Sequence, residues 1–216
     1  MTPKLVIFDN DGVLVDSERL SNVVFMNLLT EVGLPTTFDQ AVERYMGKRT
    51  TDCVEDIESR LGRALPDDFI ATYERRCAEV FQRELTVVPG VPELLDALRA
   101  TGIPYCIASS GSPDEIAVRL RLTGLAERFG DNVFSARLVK RGKPAPDLFA
   151  YAADAMGADP GDCVVIEDSV AGVTGAVAAG IRVIGHAGLQ PPERLVAAGA
   201  SEVVTGMDQV APLLGV

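Results

Sequence analysis

Asp9 and Asp11 stand two residues apart in Asp9-Asn10-Asp11-Gly12, at the end of the apolar run Leu5-Val6-Ile7-Phe8. Glu167 and Asp168 adjoin in Glu167-Asp168-Ser169, after Cys163-Val164-Val165-Ile166. A third apolar run, Tyr105-Cys106-Ile107-Ala108, ends in Ser109-Ser110-Gly111-Ser112, and Lys143 lies in the loop Arg141-Gly142-Lys143-Pro144. In an open α/β sheet, ligands bind beyond the carboxyl ends of the strands. If the three runs are parallel strands, four carboxylates meet at one end of the sheet. Unpaired carboxylates beside buried strands are unfavourable. A hard divalent cation removes the conflict, and an all-oxygen ligand set suits Mg²⁺. Lys143 adds a second positive charge, and a site holding Mg²⁺ and an ammonium suits a phosphate.

Roles follow from these residue types. Asp9 is a candidate nucleophile that would form an aspartyl-phosphate. Asp11 can face the same space as a general acid and base: it would protonate the leaving oxygen, then deprotonate water. Ser109 and the backbone amides of Ser110 and Gly111, just before a helix, can hold phosphate oxygens. Lys143 can neutralise both Asp9 and the phosphoryl group. Phosphoryl transfer needs mostly positioning and charge neutralisation, so this inventory suffices.

The elements that must position these residues are legible as periodicity. Continuous rather than alternating apolarity marks strands covered on both faces, as in a parallel sheet. Arg182-Val183-Ile184 and Glu202-Val203-Val204 are further runs of this kind, and Val133-Phe134 begins another. Helical patterns separate them. Leu94, Leu95 and Leu98 share a face before Gly102. Ser112-Pro113-Asp114-Glu115 combines an N-cap serine, proline at the first helical position and glutamate at the third. Leu148, Phe149, Ala152 and Met156 keep helical spacing after Pro146. Strands alternating with helices argue for βαβ units. Residues 16–85 break the alternation and read as consecutive helices. Leu20, Val24 and Leu28 form a stripe ended by Gly33, Val54, Ile57 and Leu61 form another, and a helix opening at Pro66 carries Phe69, Ile70, Tyr73, Cys77 and Phe81. The expected organisation is a catalytic core of residues 1–15 and 86–216, with a helical domain of residues 16–85 inserted after the first strand.

Composition sets limits. The chain has 216 residues, 47% hydrophobic and 24% charged, which excludes a disordered tail or a disulfide miniprotein. Its net charge of −11 excludes a uniformly basic nucleic-acid footprint. No apolar run approaches the ~20 residues of a membrane span, and Met1-Thr2-Pro3-Lys4-Leu5, which moves straight into a strand-like run, is expected to carry no signal peptide. Cys53, Cys77, Cys106 and Cys163 lack metal-motif spacing and read as reduced, buried thiols of a cytoplasmic protein. The expected partner is a small phosphorylated metabolite, not nucleic acid or a membrane, and the expected state is a monomer. Gly142-Lys143 looks like the end of a nucleotide-binding P-loop, but Pro144 replaces the Ser or Thr and Arg137 stands where the first glycine belongs.

Taken together, the motifs resemble those of the haloacid dehalogenase-type phosphotransferase superfamily, in order and spacing and over essentially the whole chain. Asp9-Asn10-Asp11-Gly12-Val13-Leu14-Val15-Asp16-Ser17 matches its first motif and Ser109 its second. Lys143-Pro144-Ala145-Pro146-Asp147 matches the third, and Glu167-Asp168-Ser169 with Ala171-Gly172 the fourth. The resemblance implies a Rossmann-like, three-layer parallel-sheet core, an inserted helical cap and Mg²⁺. It implies metal binding by the Asp9 side chain, the Asp11 backbone carbonyl and Asp168, with Glu167 helping through water. The sequence is most similar to the β-phosphoglucomutase-like branch of sugar phosphatases and mutases.

In that branch, mutases carry a cap histidine that aligns with Ser21, whereas the one histidine here is His186. Hydrolysis is therefore favoured over phosphomutation; a non-catalytic ligand-binding regulator is a third reading. Gly47, Lys48 and Arg49 fall in the cap loop that the resemblance places over the site. A cation there would grip a carboxylate or a second phosphate of the substrate, and an acidic sugar such as 6-phosphogluconate fits Lys48 and Arg49. Arg75 and Arg76, on a later helix, are weaker candidates for the same role. His186 reads as a structural or loop contact. Gly172, Gly175, Ala176 and Ala179 read as a tightly packed helix face.

Overall fold

Leu5, Val6, Ile7 and Phe8 are all fully buried, as expected of a strand covered on both faces. They form β1 (Leu5–Phe8) of a parallel sheet whose other strands are β2 (Tyr105–Ser109), β3 (Val133–Ser135), β4 (Cys163–Glu167), β5 (Arg182–His186) and β6 (Glu202–Val204). The computed structural model describes residues 2–46 and 50–216. The chain divides into two compact units, Met1–Asp16 with Thr86–Val216, and Ser17–Leu85.

The strand order is β3-β2-β1-β4-β5-β6. Winding proceeds outward from β1 on one side and from β4 on the other. The seam between β1 and β4 is thus the topological switch point, where ligands bind in sheets of this kind. Phe8 pairs with Ile166 across the seam, so Asp9 and Glu167 are the next residues on adjacent strands. The Asp9 amide donates to the Ile166 carbonyl at 3.0 Å, which extends the ladder by one rung. On the other side of β1, Phe8 pairs with Ile107, two residues before Ser109.

Helices α5 (Val91–Ala100), α6 (Pro113–Leu122), α7 (Ala126–Phe129), α8 (Asp147–Ala155), α9 (Val170–Ala178), α10 (Pro192–Ala198) and α11 (Val210–Leu214) complete this unit. Side chains alternate across the sheet. Leu5 and Ile7 join Phe149, Ala152, Val173 and Leu195 in one core with α8, α9 and α10. Phe8 turns to the opposite face, where the rings of Tyr105 and Phe129 meet it edge-on at 6.3 Å each. The α6 start forms as its residues dictate. The Glu115 amide donates to the Ser112 hydroxyl and the Glu115 carboxylate accepts from the Ser112 amide, a complete capping box.

The second unit holds α1 (Ser17–Glu31), α2 (Phe38–Tyr45), α3 (Thr50–Leu61) and α4 (Phe69–Glu84). Phe25 is the hub of its core, with the rings of Tyr45 and Tyr73 edge-on at 5.3 Å each and Phe69 at 6.2 Å. The expected helix start at Pro66 needs correction. The Phe69 amide donates to the Pro66 carbonyl at 3.0 Å, and Asp68 has φ −94° and ψ 8°, so Pro66 opens a single turn and α4 begins at Phe69. All four cysteines are free and buried. Among the described residues no helix is long and apolar enough to cross a membrane.

Removing the α6 cap tests how firmly the loop before it is anchored. Ser112→Ala is expected to lower unfolding stability by about 1 kcal/mol, within the usual ~0.5–2 kcal/mol for a lost N-cap. Urea titration measures this, and an unchanged midpoint would mean that the cap contributes nothing.

Candidate active site

Asp9 lies one residue past β1, at the seam. Glu167 ends β4, and Asp168 follows it. The three are 7%, 1% and 5% exposed, and each offers a carboxylate oxygen, all within 4.8 Å of one another. Lys143 supplies the neighbouring positive charge. Its ammonium donates to Asp9 Oδ1 at 2.5 Å and to Glu167 Oε1 at 2.8 Å. The lysine side chain is 5% exposed and lies 5.1 Å from the centre of the buried Phe149 ring, a cation–π distance. The ammonium thus pairs with two of the three buried carboxylates.

The electrostatics record that burial. The Asp9 carboxyl is pushed up to about 7, first by burial; Lys143 opposes this, while the Glu167 and Asp11 charges add to it. Burial pulls the Lys143 ammonium down, but Asp9 and Glu167 more than offset it, and its pKa ends above the ordinary lysine value. A hard divalent cation would favour the ionised form of all three acids, so this all-oxygen donor set fits Mg²⁺.

Neighbouring backbone fixes Glu167. Glu167 Oε2 accepts from the Ser169 amide at 2.8 Å, and Ser169 in turn caps α9 by accepting from the Gly172 amide at 3.0 Å. A Cβ on Gly172 would lie 1.7 Å from Glu167 Oε1, so only glycine leaves room for that carboxylate. A Cβ on Gly175 would meet the Ala145 carbonyl at 3.0 Å, which packs α9 against the loop that follows Lys143. Asn10, between the two aspartates, is wholly buried, and its amide has no hydrogen-bonding partner among the described residues.

The loop after β2 is organised around Ser109. Its buried hydroxyl accepts from the Gly111 amide at 3.1 Å, and Ser135 at the end of β3 donates to the Gly111 carbonyl at 2.6 Å. Ser110 is exposed beside it. Asp11 lies near enough to raise the Asp9 carboxyl, but its own Oδ2 accepts from Arg119 Nη1 at 2.7 Å. Sequence reasoning missed Arg119. It sits seven residues inside α6, and no local motif marks a partner 108 residues away. His186, at the end of β5, places Nδ1 3.0 Å from the Gly12 carbonyl. A carbonyl only accepts, so Nδ1 carries the proton, and burial lowers the pKa of the ring. The structure thus gathers Asp9, Lys143, Glu167 and Asp168 into one cluster and forms the Ser109–Gly111 loop at the end of β2. Gly47, Lys48 and Arg49 lie outside the described residues. Arg75 pairs with Glu79 at 3.0 Å and Arg76 with Glu31 at 2.6 Å, so both are engaged in ion pairs within the helical unit.

The raised Asp9 pKa has a measurable consequence. An unfolded aspartate ionises near pH ~4, whereas folded Asp9 holds its proton up to about pH 7. Between those values the unfolded chain loses the proton first, so the Asp9 contribution to stability falls as pH rises; above about 7 it is flat. In metal-free protein the stability difference between wild type and Asp9→Asn should fall by on the order of a few kcal/mol from pH 4 to pH 7. Added Mg²⁺ should then stabilise wild type more at pH 8 than at pH 5. Thermal unfolding across pH, with and without Mg²⁺, measures both, and a pH-independent difference would contradict the assignment.

The model of the haloacid dehalogenase-like hydrolase family matches residues 3–180. The chain is 34% identical over 187 residues to hexitol phosphatase A of Escherichia coli (strain K12), covering 85% of this chain and 83% of that protein. It is 29% identical over 179 residues to 6-phosphogluconate phosphatase of the same organism, covering 82% and 80%. A crystal structure of a putative β-phosphoglucomutase from Thermotoga maritima superposes with a TM-score of 0.80 at 30% identity, covering 98% of each chain. With the four motifs converging on the switch point of this sheet, the chain belongs to the haloacid dehalogenase-like hydrolases, among the phosphatases of their β-phosphoglucomutase-like branch.

Proposed function

We propose that the protein hydrolyses the phosphomonoester of a small sugar, sugar acid or polyol, with Asp9 as the nucleophile. The observation that carries this reading is the buried Asp9 carboxylate, held by Lys143 at 2.5 Å beside Glu167 and Asp168. Asp9, the Asp11 backbone carbonyl and Asp168 would hold Mg²⁺, with Glu167 assisting; the ion would neutralise charge on the phosphoryl oxygens and on Asp9.

The chain's own groups account for the remaining steps. Asp9 attacks phosphorus as the bond to the leaving oxygen breaks, and Asp11 gives that oxygen a proton. Asp11 then takes a proton from water, which attacks phosphorus and releases inorganic phosphate and free Asp9. Lys143 holds the Asp9 carboxylate in place and offsets phosphoryl charge. Ser109 and the amides of Ser110 and Gly111, ahead of α6, cradle the phosphate oxygens.

The second unit is assigned the role of a cap that selects substrate and excludes water. Hydrolysis is preferred to phosphomutation because Ser21 occupies the position of the mutase histidine, and its hydroxyl donates to the Ser17 carbonyl within α1. His186 is on β5, engaged with the Gly12 carbonyl. The named activities of the two Escherichia coli relatives support a phosphorylated polyol or sugar acid. Lys48 and Arg49 would favour the acid.

Phosphate release should be measured over a panel of phosphorylated sugars, sugar acids and polyols, with Mg²⁺ and with EDTA. Release is expected only with metal, and Asp9→Asn should reduce kcat at least ~10⁴-fold, as the loss of a nucleophile does. Isomerised product without free phosphate would overturn hydrolysis in favour of the mutase. Replacing Lys48 and Arg49 together by alanine should raise KM for 6-phosphogluconate ~10- to 100-fold, the loss of one charge-assisted hydrogen bond. KM for a neutral hexitol phosphate should stay within about twofold, since such a substrate lacks the carboxylate partner. An equal rise for both would reject the acid-recognition role.

A further inference from the structure

We propose that Arg119 is a positioning residue for the proton transfers of Asp11. The inference rests on the hydrolase reading, in which Asp11 is the acid and base. Arg119 Nη1 donates to Asp11 Oδ2 at 2.7 Å, with the two side chains only 17% and 20% exposed. An exposed ion pair contributes little, whereas a partly enclosed charge-assisted bond of this length restricts the carboxylate it holds.

The path of the arginine is built into the phosphate loop. Arg119 projects from α6, the helix that the Ser112–Glu115 box anchors directly after that loop. A Cβ on Gly111 would lie 3.5 Å from Arg119 Nη1 and 3.4 Å from Ser109 Oγ. The guanidinium therefore passes beside the loop glycine to reach Asp11. On the far side of the same turn, His186 Nδ1 donates to the carbonyl of Gly12, the next residue, at 3.0 Å. The Asp11-Gly12 turn is thus gripped from α6 through its side chain and from β5 through its backbone.

Chemistry decides what the arginine does. A guanidinium stays protonated in proteins, so it cannot be the proton carrier. It supplies a fixed charge and a fixed geometry. A general acid must lie within hydrogen-bond reach of the oxygen it protonates, and a 1 Å misplacement of a catalytic group can lower the rate ~10²-fold. Arg119 acts by holding Asp11 where it can exchange a proton with the leaving oxygen.

The test uses two substrates of similar size and different leaving groups. p-Nitrophenyl phosphate releases a stable phenolate that needs no proton; benzyl phosphate releases an alkoxide that does. The readout is kcat/KM, which reports phosphoryl transfer to Asp9 and not the later hydrolysis. Arg119→Ala is expected to lower kcat/KM ~30- to 100-fold for benzyl phosphate and less than about threefold for p-nitrophenyl phosphate. Arg119→Lys should restore part of the benzyl phosphate rate. In an Asp11→Asn background, Arg119→Ala should change benzyl phosphate turnover less than about twofold, because its effect runs through Asp11.

Equal losses on both substrates, an undiminished benzyl phosphate rate, or a full further loss in the Asp11→Asn background would each overturn the proposal. Circular dichroism and Tm check folding. If the alanine variant does not fold, Arg119→Gln, whose shorter neutral side chain cannot span to Asp11, is judged by the same criteria. Failure of the hydrolase reading registers separately, as p-nitrophenyl phosphate turnover that survives Asp9→Asn, and it would take this proposal with it.

Discussion

At the seam between β1 and β4 three carboxylates are buried together, two of them paired with the Lys143 ammonium, and the rest of the larger unit is arranged around that cluster. Lys143 reaches both Asp9 and Glu167, while Asp168 completes a cluster whose oxygens lie within 4.8 Å. A buried ion pair broken on one side is destabilising by about 3–5 kcal/mol, so the arrangement tolerates little loss of Lys143. It also leaves Asp9 with a carboxyl raised to about 7 by burial. Such a site suits a divalent cation, and with that cation bound an anionic substrate whose charge the cation and Lys143 would balance.

The fold supplies the constraint in a simple way. Parallel pairing of β1 with β4 sets Asp9 and Glu167 side by side, and pairing of β1 with β2 brings Ser109 to the same end of the sheet. The loops then add precision. Gly172 vacates the volume that the Glu167 carboxylate fills, and Ser169 both binds that carboxylate through its amide and caps α9. Ser135, at the end of β3, steadies the Gly111 carbonyl. The candidate site is thus placed on loops whose ends are fixed by buried strands, which is how a rigid scaffold holds reactive groups to tight tolerance.

Much of this was legible in the sequence because it is local. The runs Leu5–Phe8, Tyr105–Ala108 and Cys163–Ile166 are continuous and apolar, so the polar residues that end them stand out. Ser112-Pro113-Asp114-Glu115 announces the start of α6 by residue type alone. Contacts decided by three-dimensional packing were not legible. Arg119 looks like any exposed helical arginine until α6 is set against the Asp11 turn, and the engagement of His186 with Gly12 depends on how β5 lies beside β4. The start of α4 was misplaced for a local reason: Pro66 favours a helix start equally well when the turn it opens is separate from the helix. The charges of Lys48 and Arg49 are plain in the sequence, but both residues lie outside those described.

The most direct test of the central claim is to look for phosphate on Asp9. Enzyme turning over its best phosphomonoester with Mg²⁺ would be quenched rapidly in acid and mapped by mass spectrometry. The account predicts a phosphorylated peptide containing Asp9, formed at the rate of leaving-group release and absent from Asp9→Asn. Leaving-group release with no phosphate on Asp9, or with phosphate on another residue, would contradict it.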